Sequence, residues 1–260
     1  MALFPQADGL GTAEMQRLAA SSGAPLSVFV IGLEAGTVTL RTFTPTREKG
    51  ESDSGALAAL DWLYRAGHLA DVAEVVMDDA RPAQLCGGVW LLRQGEAVAS
   101  AIEVKPVEAA RSLGLGARAL GAFPLTVADA GRPNLVLVLA DHASLDAARP
   151  DAEAIADLNR ETGTLGLIAV TTPGRRGEHL DFRAFGPLKG FVEDNASSNT
   201  CASLLASLSL LDLLPRDERL LLARQGETTG RPARLTAQAI LDGERAHEVW
   251  VGGAARAVAP

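Results

Sequence analysis

Along the chain, short continuous or alternating apolar runs take turns with stretches in which apolar residues recur every three or four positions. The first pattern predicts strands and the second helices. Met15, Leu18 and Ala19 share one helical face, which predicts a helix over Thr12–Ser21 with Thr12 as its N-cap. Strands are predicted at Leu26–Ile31 and Gly36–Phe43, with further short strands between Val72 and Val104, separated by Gly87-Gly88 and by Gly95-Glu96. The segment Gly55–Tyr64 is different: Ala, Leu and Trp62 occupy nearly every face, and only Asp61 is charged. A helix that is apolar almost all round is a buried one. After a change of pattern at Gly114–Phe123 come a strand at Leu135–Ala140, a helix at Ala152–Asn159, and strands at Leu165–Thr171 and His179–Phe185. A second apolar helix runs from about Thr200 to Leu214, where Pro215 ends it. A further element opens at Arg216–Arg219 and runs to about Ala223, and strands near Ala233–Leu241 and Glu248–Val258 finish the chain.

The two halves echo each other. Leu40-Arg41-Thr42-Phe43-Thr44-Pro45 matches Phe182-Arg183-Ala184-Phe185-Gly186-Pro187. A glutamate follows each proline, Glu51 and Glu193, then a small polar patch, Ser52-Asp53-Ser54-Gly55 and Asp194-Asn195-Ala196-Ser197-Ser198-Asn199, and then an apolar helix. Two copies make a duplication rather than a solenoid. The pattern predicts an α+β fold of two pseudo-symmetric domains, residues 1–120 and 121–260, each a strand barrel or half-barrel around a central apolar helix.

Composition narrows the function. A net charge of −8 with scattered Lys and Arg disfavours nucleic acid, since the densest basic stretch is only Arg175-Arg176. Cys86 and Cys201 make neither a disulfide framework nor a zinc cluster and suit a reducing compartment. No apolar run reaches membrane-spanning length, and Met1–Gly11 has no leader pattern, so a cytoplasmic protein without membrane partner is expected. His68, His142, His179 and His247 show no metal-ligand spacing, and Gly114-Leu115-Gly116 lacks the strand and acid of a dinucleotide fingerprint. Neither metal nor cofactor is expected.

The ordered motifs resemble the PhzF-like phenazine-biosynthesis isomerases, which have the diaminopimelate-epimerase-like fold. The resemblance rests on Arg41–Pro45, Arg183–Pro187, Glu193-Asp194, Gln225-Gly226, Gly230-Arg231-Pro232 and Val251-Gly252-Gly253, and runs from about Ala2 to Ala259. It implies a homodimeric isomerase that moves a proton at carbon in a small carboxylate-bearing molecule, held in an interdomain cleft. The same resemblance puts Leu26 where the family carries its catalytic glutamate, Ser54 at a histidine and Asn199 at a serine, and leaves the first strand and its Gly-Asn-Pro turn missing. Isomerisation of the usual phenazine precursor is therefore not expected.

Asp194 and Asp53 are the remaining candidates for proton transfer. For Asp53 helix capping is the stronger reading, and for Asp194 capping and substrate contact weigh equally. Ser54, Gly55, Ser197, Ser198 and Asn199 are the candidate substrate-binding residues, because two helix starts facing one cleft make an anion site. The same residues as plain caps need no ligand, so a catalytically inactive relative that binds a small anion or serves as a structural dimer stands as the alternative. Glu51 and Glu193 are read as structural, bonding backbone amides in the turns.

Overall fold

The computed structural model describes residues 1–172, 179–214 and 220–255. Arg175-Arg176, Arg216–Arg219 and Val258 lie outside them. Contacts divide the chain into two compact units, Met1–Arg93 with Gly252–Pro260, and Gln94–Val251. The expected boundary at residue 120 falls inside the second of these.

In the first unit β1 (Ala2–Phe4) pairs in parallel with β2 (Ser27–Glu34), reached through α1 (Thr12–Ser21). Gly11, not Thr12, is the N-cap of α1. Strand β3 (Thr37–Phe43) follows as a hairpin, and after α2 (Asp53–Arg65) come β4 (Val72–Val76), β5 (Ala80–Cys86) and β6 (Val89–Ala101). The strand order is β1-β2-β3-β4-β5-β6. Alternation along β2 sorts its side chains: Val28 and Val30 join Leu40, Ala56, Leu60, Leu63 and Trp90 around α2, while Phe29 faces α1 with Met15 and Ala19. Burial of α2 is one-sided, because Trp62 and Tyr64 are exposed. Gly95 does not separate strands as expected; it sits inside β6 at φ +88°.

The second unit continues from β6 through α3 (Pro106–Ser112), β7 (Thr126–Asp129), β8 (Asn134–Leu139), α4 (His142–Ala147), α5 (Ala152–Thr162), β9 (Gly166–Thr171), β10 (Leu180–Gly186), β11 (Phe191–Asp194), α6 (Ser198–Leu210), β12 (Leu220–Gln225), β13 (Ala233–Asp242) and β14 (Arg245–Gly253). Its strands run β6-β14-β13-β12-β10-β9-β8-β7, and β7 pairs antiparallel with β6 to close the ring. Helix α6 fills that ring: residues Thr200 through Leu208 are all buried. Strand β8 is buried on both faces, as its unbroken apolar run requires. Val136 and Val138 point to α6, while Leu135, Leu137 and Leu139 pack with Ala109 and Ile155 of the outer helices and with Leu113 at the end of α3. Helix α6 stops at Leu210, five residues before the proline expected to end it.

The two units thus share one plan, strands packed on an apolar helix with helix on the other face of the strands, but the helix is enclosed in the second unit and covered on one side in the first. At the helix starts the plan needs a close approach. Gly55 is buried, and a Cβ there would lie 3.0 Å from Val28 Cγ2, so its bare backbone lets α2 lie on β2.

Candidate active site

At the start of α2 the cap is Ser52, whose Oγ accepts from Gly55 N at 3.4 Å. Asp53 is therefore not the cap. Its Oδ1 accepts from Arg81 Nη1 at 3.0 Å, and Glu51 binds Nη2 of the same guanidinium. Glu51 thus pairs with an arginine, not with turn amides. Ser54 Oγ lies 3.4 Å from Ser52 Oγ and is exposed. Leu26, immediately before β2, is partly buried against the core around α2.

The start of α6 is built differently. Ser197 is the cap, its Oγ accepting from Thr200 N at 3.2 Å and its carbonyl from Cys201 N at 3.1 Å. The amides of Ser198 and Asn199 sit in the first turn, where a helix offers no partner of its own. Ser198 is buried, and the Asn199 side chain donates to Ala130 O at 2.7 Å, so it braces the β7–β8 turn. Gln225, 1% exposed, staples the preceding loop: its Oε1 accepts from Ser197 N and its Nε2 donates to Asp194 O, both at 3.1 Å. Gly226 closes the staple. At φ +84° its missing Cβ would stand 2.5 Å from Asn195 O, so only glycine fits.

Asp194 stands at the end of β11 beside this loop, half-buried. Ala196 N donates to its Oδ1 at 3.4 Å, a turn contact rather than a helix cap. Burial pushes its carboxyl above the ordinary aspartate value, opposed by the Ala196 and Asn195 amides and by Lys189. A carboxyl so poised is a proton-transfer candidate. Its neighbour Glu193 is structural. Arg183 Nε and Nη2 donate to its two oxygens at 2.8 and 2.7 Å, and Arg183 Nη1 donates to Leu145 O and Ala148 O. The repeat breaks here: the partner of Arg41 is Glu48, with Nε–Oε1 and Nη2–Oε2 both at 2.7 Å, and not Glu51. The aromatic contact is kept in both copies, each guanidinium 5.2 Å from the ring of Phe43 or Phe185.

Cys201 lies inside α6, fully buried, its thiol pushed up to about 12 by burial, and supplies no nucleophile. His142 and His247 each lie against a carboxylate. They meet Asp181 at 3.0 Å and Glu96 at 3.2 Å. Among the described residues no group of His, Cys, Asp and Glu could hold a metal, and no helix is long and apolar enough to cross a membrane.

Comparison with known proteins bears on the same elements. A family profile described as "Phenazine biosynthesis-like protein" matches residues 1–80 and 83–260. An uncharacterized isomerase of Deinococcus radiodurans is 33% identical over 254 residues, 93% of this chain and 82% of that protein. A trans-2,3-dihydro-3-hydroxyanthranilate isomerase of Pseudomonas aeruginosa is 28% identical over 263 residues, 97% of this chain and 89% of that protein. Among solved structures, a phenazine biosynthesis protein of the PhzF family from Bacillus anthracis superposes with a TM-score of 0.78 at 19% identity, covering 96% of this chain and 88% of that one. The chain belongs to the phenazine biosynthesis-like (PhzF) family.

Proposed function

We propose that this PhzF-family chain is an isomerase that removes and returns a proton at carbon in a small carboxylate-bearing molecule, with Asp194 as the proton-transfer group. The observation that carries the reading is the state of Asp194: half-buried, raised in pKa by burial, and pinned through its backbone by Gln225, which also holds Ser197, the cap of α6. One positioned carboxylate suffices for such chemistry. Ser198 and Asn199 contribute amides to the substrate carboxylate, with the helix dipole behind them. Asp53 is the weaker candidate because Arg81 engages its carboxylate. On the same reading the chain acts as a cytoplasmic homodimer.

The test is carbon-bound deuterium. The protein is incubated in D2O with trans-2,3-dihydro-3-hydroxyanthranilate and with a panel of amino, hydroxy and unsaturated carboxylic acids, and exchange is followed by proton NMR. Exchange into a panel member, abolished by Asp194→Asn, is the expected result. No exchange with any compound, or exchange undiminished in Asp194→Asn, overturns it.

A second reading is that of an inactive relative that binds a small anion or serves as a structural dimer. It is favoured by Leu26, which packs among apolar side chains where the family resemblance puts a glutamate. Binding of a carboxylate without exchange would establish it.

A further inference from the structure

Outside the residues already placed, one cation stands out. Lys189 ends a single 3-10 turn, Pro187–Lys189, just before β11. Its Nζ donates to Asn134 Oδ1 at 2.9 Å. Asn134 is 1% exposed at the start of β8, and its Nδ2 is held by Arg132 O at 2.8 Å and approaches Ser203 Oγ of α6 at 3.5 Å. The start of β9 leaves room for this contact only because residue 166 is glycine. A Cβ there would lie 2.7 Å from Asn134 Oδ1, 2.8 Å from Phe185 O and 3.0 Å from Lys189 Nζ. Three elements therefore converge to hold one ammonium in place.

That ammonium is under-supplied. An ammonium carries three donors. Among the described residues Lys189 Nζ has a single hydrogen-bond acceptor, Asn134. Burial pulls its pKa below the ordinary lysine value, with Asp194 acting against this and Arg132 acting with it. A half-buried cation with spare donors is completed by an anion. Asp194 is close enough to act on Lys189 electrostatically, and Asn134 ties Lys189 to the face of α6 that carries Asn199 and Ser203.

The geometry points to Lys189 as a substrate-binding residue of the α6 site, its ammonium forming the ion pair with the carboxylate of the substrate. This rests on the proposal that the α6 start binds a carboxylate, and it adds the group that supplies the charge. Helix-start amides alone attract anions of many kinds. A fixed ammonium within electrostatic reach of Asp194 selects a molecule whose carboxylate and acidic C–H stand a short distance apart.

The chain has three lysines, Lys49, Lys105 and Lys189, which makes a direct test practical. Protein carrying 15N at lysine Nζ is titrated with acetate, succinate, benzoate and anthranilate. The Lys189 signal, identified by its loss in Lys189→Arg, is expected to shift with at least one of them, while those of Lys49 and Lys105 stay in place. Affinity for that carboxylate should fall at least tenfold in Lys189→Met and stay within about threefold in Lys189→Arg, a gap of about 0.7 kcal/mol or more between the two. Ser198→Pro removes one amide at a helix position that tolerates proline and reports on the α6 start separately. Weaker binding in Ser198→Pro with unchanged binding in Lys189→Met would overturn the role of Lys189 and leave the α6 site standing. A Lys189 signal unmoved by all four carboxylates would likewise overturn the role of Lys189 alone, and unchanged binding in both variants would overturn both readings.

Discussion

Ser207 Oγ and Thr126 Oγ1 meet at 2.8 Å in the interior of the second unit, a hydroxyl pair sealed between α6 and β7. It belongs to a seam: Asn199, Ser203 and Ser207, four residues apart, each turn a polar group from α6 toward β7, β8 or the turn between them. Ser207→Ala leaves the Thr126 hydroxyl buried and unpaired, and should cost about 1–3 kcal/mol. Thr126→Val combined with Ser207→Ala should cost less than that single change. Urea denaturation midpoints at constant slope check both.

The two Arg–Glu pairs of the repeat should behave differently. Side-chain exposure is 9% and 13% for Arg183 and Glu193, against 25% and 40% for Arg41 and Glu48. Removing one partner of the buried pair strands a charge, so Glu193→Ala should cost about 3–5 kcal/mol. Glu48→Ala should cost less than about 1 kcal/mol. Equal losses in thermal melts of the two variants would show that exposure does not set the difference.

Of the described glycines, Gly252 lies nearest to neighbouring backbone. A Cβ at this position would lie 1.8 Å from Trp90 O and 2.9 Å from Leu91 Cα. Gly252→Ala should therefore cost more than about 4 kcal/mol and leave little soluble protein. Gly116→Ala, where no atom lies within 4 Å, is the control expected to melt close to the wild type.

Asp194 links stability to pH. Burial raises its carboxyl above the ordinary value, so the folded chain holds that proton more tightly than the unfolded chain. Its contribution to stability is full below the unfolded value, about 3.9, and is lost as pH rises through the folded one. Asp194→Asn should thus match the wild type in acid and exceed it near neutrality, while losing any proton-transfer activity. Melting temperatures of the two proteins across that pH range check the sign.

Thiol counting separates the two cysteines. Cys201 is buried with its thiol at about 12, whereas Cys86 is half-buried at the β5–β6 turn. Ellman's reagent at pH 8 should find one reactive thiol in the folded chain and two in denaturant. Cys86→Ser should bring the folded count to zero.

Much of this architecture was legible in the chain, and for identifiable reasons. Period-2 and period-3.6 patterns located α1, β2, β3, α5 and β9 to within a residue or a few, and near-uniform apolarity marked α6 as the filled centre of a barrel. The same rule overstated α2, whose Trp62 and Tyr64 are exposed, because apolarity does not say how many faces the strands cover. Short α3, α4 and β11 were not predicted, since a few residues carry too little periodicity. The acids were harder still. Glu48 and Glu51 lie three residues apart in one polar loop, and only the fold shows that Arg41 takes the first and Arg81 the second. Lys189 and Asn134 carry no sequence signal for each other. Gln225 had one, its adjacent Gly226, which meets the Asp194–Ser197 loop too closely for any side chain.

The return of Gly252 to Trp90 also sets a timetable. The first unit takes in residues at both ends of its compact partition, Met1–Arg93 and Gly252–Pro260, with Gln94–Val251 between them. A ribosome adding roughly 5–20 residues per second needs roughly 8–30 s to make that intervening stretch. Throughout that wait Trp90 and Leu91 have no Gly252 to lie against, and an unpaired backbone is one that another nascent chain can capture. The second unit is synthesised in one piece and needs nothing made after Val251. The first is the earliest to be translated and the last to be finished.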